Sequence, residues 1–346
     1  MSRAIAVVRT KFASWEWLLG LFAVLLILTA SATTIGFVDP YNLESSLSRM
    51  AAKALLALPL VFLIIAREID ISVASIAGLC GIAFGMASQA GGSTGLAIAV
   101  ALTTGAACGA INGFLVAVLR LPSLVVTLGS LALFRGLCYV LVGGTPISQL
   151  PPEIVDFANS SIPGTFIPLA IVPFLVLAAV AAVLLHRTAF GRRVFAIGGN
   201  PDTARFAGVR NGRIVFQLFV ASGVVSALAG LIQIGITSSA APDGAIGFEL
   251  DAITIVFLGG VSFLGGTGRM SGVLWALVVV ITVRSMLQLQ NFGAYGQAAV
   301  VGLILILSLL LANLAIKASA ARATRRMLAL TLPSEGTSPT VTTHRN

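Results

Sequence analysis

The sequence has little charge and very little histidine or lysine. Of its 346 residues only 10% are charged and 58% are hydrophobic, with two histidines and three lysines. A soluble globular domain carries about a quarter charged residues, so this composition excludes that class. Because His186 and His344 stand far apart, with one beside a basic stretch and the other near the chain end, no histidine-based metal or catalytic site is expected.

Nucleotide-binding and disulfide patterns are also missing. No lysine occupies the G-x-x-x-x-G-K-[ST] spacing that cradles phosphates, and the glycine-rich stretch 265–268 lacks the lysine and indicates a turn. We therefore expect no cofactor to be bound by this chain. Cys80, Cys108 and Cys138 all lie in apolar runs, which predicts buried thiols rather than a disulfide framework or a metal site.

Long apolar runs are what the sequence does have, and a run of about 20 residues spans a bilayer. Ten are present: 17–38, 50–66, 71–90, 94–119, 124–142, 164–185, 214–237, 251–263, 271–290 and 295–316. We therefore predict an all-α polytopic membrane protein with about ten transmembrane helices. The run at 251–263 is short, so eight or nine crossings stay open. The first run continues past a possible signal cleavage site, which favours an uncleaved span.

The basic residues are sorted by loop. With the N-terminus inside and ten crossings, 17 of the 21 basic residues fall on the cytoplasmic side, and the acids concentrate in the outer loops. This bias predicts a membrane protein with both termini cytoplasmic. Charge distributed in this way argues against nucleic acid as a partner, despite the net charge of +9.

The longest polar interruption is the segment 187–213, which carries six arginines and a single acid, Asp202. We interpret it as a cytoplasmic loop inside a transmembrane domain at 17–316, which follows a cytoplasmic N-terminus at 1–16. Residues 317–346 are first basic and then rich in Ser, Thr and Pro, which indicates a cytoplasmic, partly disordered tail.

The two halves on either side of this loop echo each other. Glu68-Ile69-Asp70 opens the third apolar run and Glu249-Leu250-Asp251 opens the eighth, and the topology places the two acid pairs on opposite sides. An inverted repeat around the central loop would produce this arrangement, although two matches this short also arise by chance.

Glycines and a few polar residues mark the apolar runs. Gly105, Gly109 and Gly113 form one stripe, which favours close helix packing over a sliding, pore-lining helix. For Arg135 a substrate path and simple pairing with helix carbonyls are both open, whereas for Arg284 carbonyl pairing or snorkelling is favoured.

Four ordered motifs are present between residues 17 and 316. The first lies in the basic loop and consists of Thr188, Gly191, Arg192, Ala196, Ile197, Gly198, Asn200, Ala204 and Gly208. The others are Ile69–Val73, Leu121–Ser123 with Val126–Gly129, and a set formed by Glu249–Ile253, Gly259, Gly260, Ser262, Gly265, Gly266, Gly268 and Gly272. Together the four motifs resemble the permeases of sugar-type ABC importers, in which an alanine usually stands at the position of Thr203.

The resemblance implies a location in the bacterial inner membrane and a division of labour among several chains. Cytoplasmic ATPase subunits would dock on the loop 187–213, a periplasmic binding protein would deliver the sugar, and a second permease would complete the pathway as a homodimer or heterodimer. The expected ATPase-coupling residues are Thr188, Gly191, Arg192, Arg193, Ala196, Gly198, Asn200 and Gly208. Candidate pathway or gating residues are Asp70, Ser72, Asn112, Arg135, Glu249 and Asp251.

The expected activity is ATP-driven import of a monosaccharide by alternating access, without any catalytic residue in this chain. Glu68–Asp70, Ala74 and Leu121–Ser123 look most like rhamnose permeases, while Ile71-Ser72 and Gly78–Cys80 are similar to the autoinducer-2 branch. Import of another pentose or hexose stays open. The alternatives from other classes are an ion-coupled secondary transporter and a membrane enzyme or structural subunit, and the position of the acids at span ends argues against ion coupling.

Overall fold

The computed structural model describes the backbone of residues 2–308 and of residue 310, and the side chains from residue 15 onward. Contacts divide the chain into two units, Met1–Leu305 and Ile306–Asn346. Within the described ranges the architecture is helical, with two isolated β-bridges and no strand. The tail predicted at 317–346 lies outside the described residues.

Thirteen helices run through the described part of the chain: α1 Ser2–Thr33, α2 Pro40–Ile65, α3 Val73–Gln89, α4 Thr94–Ala117, α5 Ser123–Val142, α6 Pro152–Asn159, α7 Val172–Arg187, α8 Ala189–Gly199, α9 Pro201–Phe206, α10 Asn211–Thr237, α11 Phe248–Leu258, α12 Met270–Leu289 and α13 Ala294–Ser308. A 3₁₀ turn at Leu169–Ile171 leads into α7.

Seven of these helices are long and apolar enough to cross a membrane, which confirms a polytopic membrane protein. They are α1, α2, α4, α5, α10, α12 and α7 with its 3₁₀ turn. Each of the ten predicted runs contains a helix; α3 and α11 are shorter than a full span, and α13 is described only as far as Ser308. The prediction of ten crossings therefore stays a prediction.

Helix α2 starts ten residues earlier than its apolar run indicates. Pro40 occupies the first turn and the side chain of Asp39 accepts a hydrogen bond from Tyr41 N–H at 2.8 Å, so a capped helix begins there. The first turns carry the charged residues Glu44 and Arg49, which lower the hydropathy of this segment, so the apolar run begins later than the helix.

The core is built around α2 and α10, which pack against each other. Most residues of α2 are buried within the chain, whereas fewer than a third are buried in α4, in α5 and in the part of α1 from Trp15 onward. Such outward apolar faces are expected of helices that lie against lipid or a neighbouring chain.

The glycine stripe of α4 packs tightly against α10. A Cβ added at Gly109 would lie 2.3 Å from the carbonyl oxygen of Phe219, and one at Gly105 would lie 2.4 Å from that of Gly223. The two backbones approach so closely that only glycine fits between them. The structure thus confirms close helix packing for this stripe.

Helices α3 and α11, which are shorter than a full span, each pack against a long helix of the opposite half of the chain. Helix α3 contacts α10, while α11 contacts α2, so each short helix rests on the long central helix of the other half. This exchange is the contact pattern that an inverted repeat around the α8–α9 loop would produce.

Candidate functional site

The predicted coupling loop folds into the two short helices α8 and α9, and each has an explicit N-cap. The Thr188 hydroxyl donates to Leu184 O at 2.6 Å and accepts from Gly191 N–H at 3.4 Å, which joins α7 to α8. The Asn200 side chain accepts from the N–H groups of Asp202 and Thr203, both at 3.0 Å, and starts α9. These caps satisfy donors that a short helix leaves open, so the loop holds a defined shape.

Three glycines of the loop are needed for two different physical reasons. Gly191 lies where a Cβ would stand 2.0 Å from Leu185 O, and Gly198 lies where it would stand 1.7 Å from Ile65 O. Gly208 has φ +83° and ends α9, whereas a Cβ at Gly199 would meet nothing within 4 Å. Close approach therefore requires glycine at 191 and 198, and backbone conformation favours it at 208.

The outer face of α8 is basic. Arg192, Arg193 and Ala196 are exposed, while Val194 and Ile197 are buried against the bundle. Neither arginine forms a salt bridge with any side chain that the structure describes. This face therefore presents unpaired positive charge to the surroundings of the protein.

One exposed aromatic side chain stands beside this basic face. Phe206, at the end of α9, is 84% exposed, and the guanidinium of Arg205 lies 5.7 Å from the centre of its ring. Sequence reasoning missed it, although a phenylalanine inside a strongly basic loop was a readable signal. An exposed aromatic next to arginine is a combination enriched at protein interfaces.

Asp70, Ser72 and Asn112, predicted as pathway or gating residues, lie together in one buried hydrogen-bond network. Asp70 accepts from the Ser72 hydroxyl at 2.5 Å and from the Ser222 hydroxyl of α10 at 2.8 Å. Asn112 of α4 donates to Ser72 at 2.9 Å and accepts from Ser130 of α5 at 2.7 Å. The turn between α2 and α3 is thereby tied to three other helices.

The backbone of the same turn is held by α5. Ile69 N–H donates to the Ser123 hydroxyl at 3.1 Å, and the Thr127 hydroxyl donates to Ile69 O at 3.1 Å. Burial raises the pKa of the neighbouring Glu68 carboxyl, and its hydrogen bond to Ser123 opposes that rise. Ser123 and Thr127 belong to the third motif, so two motifs that are distant in sequence form one structural unit.

Asp251, at the start of α11, is the centre of a buried charge cluster. Its carboxylate pairs with Lys53 of α2 at 3.0 Å and with Arg284 of α12. The expectation that Arg284 pairs with helix carbonyls or snorkels is wrong, because this acid lies within reach. Lys53 stands in the middle of α2 rather than at an outer end, and it also lies 4.8 Å above the ring of Phe248.

Arg135 and Glu249 face each other across a wider gap, with 3.9 Å between Arg135 Nη2 and Glu249 Oε2. That oxygen is buried without a hydrogen-bond partner, and no hydrogen bond from Arg135 occurs within the described residues. A potential donor and a buried acceptor thus stand close together without a hydrogen bond between them. Within the same part of the chain no hydrogen bond joins this pair to the Asp70 network.

Three partners of the predicted pathway or gating residues escaped the sequence analysis. Ser222 and Lys53 lie in long apolar helices of the opposite half, and Ser130 differs little from other buried serines. A lysine inside an apolar run was a signal, since such a charge needs a partner. For the serines no sequence signal distinguishes a network member from a helix-packing residue.

Among the described residues, no group of three or more His, Cys, Asp or Glu side chains is placed to hold a metal ion. The three cysteines are free and buried, as their apolar surroundings predicted.

Comparison with known proteins identifies relatives along most of the chain. The autoinducer-2 import system permease protein LsrD of Photorhabdus laumondii is 32% identical over 300 residues, covering 85% of this chain and 90% of that protein. LsrC of Yersinia enterocolitica, also an autoinducer-2 import system permease protein, is 36% identical over 290 residues, covering 82% and 79%. The L-arabinose ABC transporter permease protein AraH of Azospirillum brasilense is 33% identical over 313 residues, covering 89% and 91%.

No solved structure matches the chain. Residues 42–309 match the family model described as the branched-chain amino acid transport system / permease component, which spans α2 to the end of the described residues. The chain therefore belongs to this family of transport permease components.

Proposed function

We propose that this chain is the membrane subunit of an ATP-driven importer for a small polyhydroxylated compound, with a monosaccharide as the substrate class. The observation that carries the proposal is the capped α8–α9 pair, which presents unpaired arginines and an exposed phenylalanine on a polytopic permease. The chain has no Walker A lysine of its own, so a separate ATPase would supply the energy.

In this proposal the ATPase docks on the outer face of α8 and α9. Arg192 and Arg193 would pair with carboxylates of the partner, and Phe206 would enter an apolar pocket at the centre of the contact. ATP binding closes the ATPase pair, and α8 passes that rigid-body movement to the membrane helices. The permease subunit itself would carry no catalytic group.

Charge reversal at Arg192 tests the docking surface. We expect Arg192→Glu, Gly191→Pro and Phe206→Ala each to reduce the amount of ATPase that co-purifies with this chain, with Phe206→Ala costing about 2 kcal/mol of binding free energy. Arg120→Glu is the matched control, because Arg120 is an exposed arginine outside α8 and α9. Full recovery of a stimulated ATPase with Gly191→Pro and Arg192→Glu would overturn the docking assignment.

The two buried acidic turns are the proposed gating elements. Asp70, Ser72 and Asn112 connect α3 to α4, α5 and α10, and Asp251 connects α11 to α2 and α12. A rearrangement of either turn would move α3 or α11 relative to the central helices α2 and α10. Such a rearrangement would also expose Arg135 and the unbonded, buried oxygen of Glu249, which are the proposed contacts for substrate hydroxyls.

A periplasmic binding protein and a second permease, identical or different, are the remaining proposed partners. The relatives named for autoinducer-2 and L-arabinose import support a small oxygen-rich substrate. The rhamnose-like motif residues around Asp70 and at Leu121–Ser123 make L-rhamnose the first candidate among sugars.

Uptake measurements in cells with and without the gene test the substrate. The panel holds radiolabelled L-rhamnose, L-arabinose, ribose and xylose, with autoinducer-2 and leucine, each with and without ATP depletion that spares the membrane potential. Loss of one ATP-dependent sugar uptake supports the proposal. Leucine uptake alone would replace the substrate class, and uptake that follows the ion gradient instead of ATP would indicate a secondary transporter.

A further inference from the structure

Arg67 occupies a backbone position where glycine is the usual residue. Helix α2 ends in a Schellman motif, in which Glu68 N–H donates to Leu63 O at 2.8 Å and Arg67 N–H to Ile64 O at 3.0 Å. Arg67 itself has φ +69°, the left-handed conformation. Since a non-glycine residue costs roughly 1–2 kcal/mol there, an arginine at this position indicates a role for its side chain.

The side chain of Arg67 donates hydrogen bonds to the last two carbonyl groups of α8. Its Nε donates to Gly198 O at 2.7 Å and its Nη2 donates to Gly199 O at 2.9 Å. The last carbonyls of a helix lack intrahelical partners and carry the negative end of its dipole, so a guanidinium satisfies both needs. One planar fork thus holds two consecutive carbonyl groups.

The loop between α11 and α12 closes the same contact from the other side. Gly266 N–H donates to Ile65 O at 2.8 Å, and a Cβ added at Gly266 would lie 2.9 Å from the Gly198 carbonyl carbon. A Cβ at Gly265 would lie 2.4 Å from Cγ of Arg67. The end of α8, the α2–α3 turn and the loop 259–269 therefore meet backbone to backbone.

Only two residues, Glu68 and Ile69, separate Arg67 from Asp70. Between them Ile69 is bonded through its N–H and its C=O to Ser123 and Thr127 of α5, and Asp70 is bonded to Ser222 of α10. A displacement of the α8 end that reaches Arg67 has a continuous hydrogen-bonded route to the start of α3.

We propose that Arg67 is a positioning residue that transmits the movement of α8 to the Asp70 turn. The inference rests on the proposed function, because it takes the movement to come from an ATPase docked on α8. It adds a specific mechanical link, in which the guanidinium pulls or pushes the α2–α3 turn whenever the α8 carbonyls shift. Two-point attachment makes arginine, rather than lysine, the suitable residue.

Replacement of Arg67 by glycine separates transmission from stability. Glycine adopts the left-handed conformation without strain, so Arg67→Gly removes the side chain while relieving the backbone. Arg120→Gly is the matched control, because Arg120 also has a positive φ (+57°) and no hydrogen bond from its side chain occurs within the described residues. Arg67→Lys keeps the positive charge but cannot reproduce the two parallel hydrogen bonds of the planar guanidinium.

The experiment measures hydrogen–deuterium exchange of the complex purified through a tag on this chain, with and without ATP plus vanadate. In the parent protein we expect nucleotide-dependent changes both in 189–199 and in 68–80. Arg67→Gly should keep the first change and lose the second, and transport per ATP hydrolysed should fall by roughly tenfold. Arg120→Gly should behave as the parent, and Arg67→Lys should lie between the two.

The possible failures are distinguishable. If the change in 68–80 persists in Arg67→Gly at parental size, the transmission role is wrong while ATPase docking stands. If the parent protein shows no nucleotide-dependent change in 189–199, or no ATPase co-purifies with it, the proposed function fails before Arg67 is tested. If Arg67→Gly loses the nucleotide-dependent change in 189–199 together with that in 68–80, while ATPase still co-purifies, the side chain has a purely structural role in holding α8 and the inference is overturned.

Discussion

Gly198 is the residue at which three stretches of backbone meet. It sits between Ile65 and Gly266, and a Cβ there would approach Ile65 O to 1.7 Å and Gly266 N to 2.5 Å. Both neighbours are main-chain atoms, so no side chain can rotate away to make room. The glycine matches the family motif, and the tertiary contact shows its physical reason.

We expect Gly198→Ala to destabilise the protein by about 1–3 kcal/mol, as overpacking of a rigid site does. Thermal unfolding in detergent, followed by tryptophan fluorescence, measures the effect. The adjacent Gly199→Ala is the control, since its Cβ would meet nothing within 4 Å. Equal melting temperatures for the two variants would contradict the close contact between α8 and the α2–α3 turn.

Asp251 is the only acid that the described structure places between Lys53 and Arg284. Its removal leaves two cations in a largely buried site without a counter-charge, a situation that typically costs about 3–5 kcal/mol. We therefore expect Asp251→Asn to lower the yield of folded protein and its melting temperature. Asp243→Asn, on the exposed loop before α11, serves as the comparison.

The charge balance of this cluster offers a second check. Adding Lys53→Met to Asp251→Asn removes one of the two uncompensated cations and should recover part of the lost stability. A double variant that is less stable than Asp251→Asn alone would show that Lys53 stabilises the protein through contacts other than its attraction to Asp251.

Helices α4 and α10 form the closest helix pair in the core, and small residues make that approach possible. Gly105, Gly109 and Gly113 lie on the face of α4 that touches α10, and Gly223 stands opposite them. In a membrane, where apolar side chains gain nothing by leaving lipid, such close van der Waals packing holds helices together. The Asp70 network crosses the same interface through Ser222 and Asn112.

The effect of Gly109→Ala should depend on this interface. A Cβ at 2.3 Å from Phe219 O forces α4 away from α10, and we expect a loss of about 1–3 kcal/mol. Gly95→Ala on the same helix meets nothing within 4 Å, and alanine is the better helix former by about 1 kcal/mol. Melting temperatures that move in the same direction for both variants would contradict the packing.

Along the chain, the basic α8–α9 segment lies between the two buried acidic turns, one at Asp70 and the other at Asp251. The α8–α9 pair joins the two halves, α3 rests on α10 and α11 rests on α2. Each short helix begins beside a buried acid that is bonded to the central helix of the other half, Asp70 to α10 and Asp251 to α2. We therefore expect a movement of either α3 or α11 to displace residues in both halves.

Cysteine labelling tests the membrane orientation. In intact cells a membrane-impermeant maleimide should label Ser148→Cys, on the exposed segment after α5, and should label Arg193→Cys only after permeabilisation. The three native cysteines are buried and should stay unlabelled in the folded protein. The reverse accessibility of positions 148 and 193 would invert the topology and exclude a cytoplasmic α8.

The sequence by itself determined the membrane class, the central basic loop and the motif residues, because hydropathy and charge report what surrounds each segment. It also singled out the acids at Asp70 and Asp251. Only the tertiary structure decided their partners, since Asp70 meets Ser222 across 152 residues and Arg67 meets Gly198 across 131. A pattern within one helix fixes which face is apolar, but the packing of two helices fixes which residues on those faces touch.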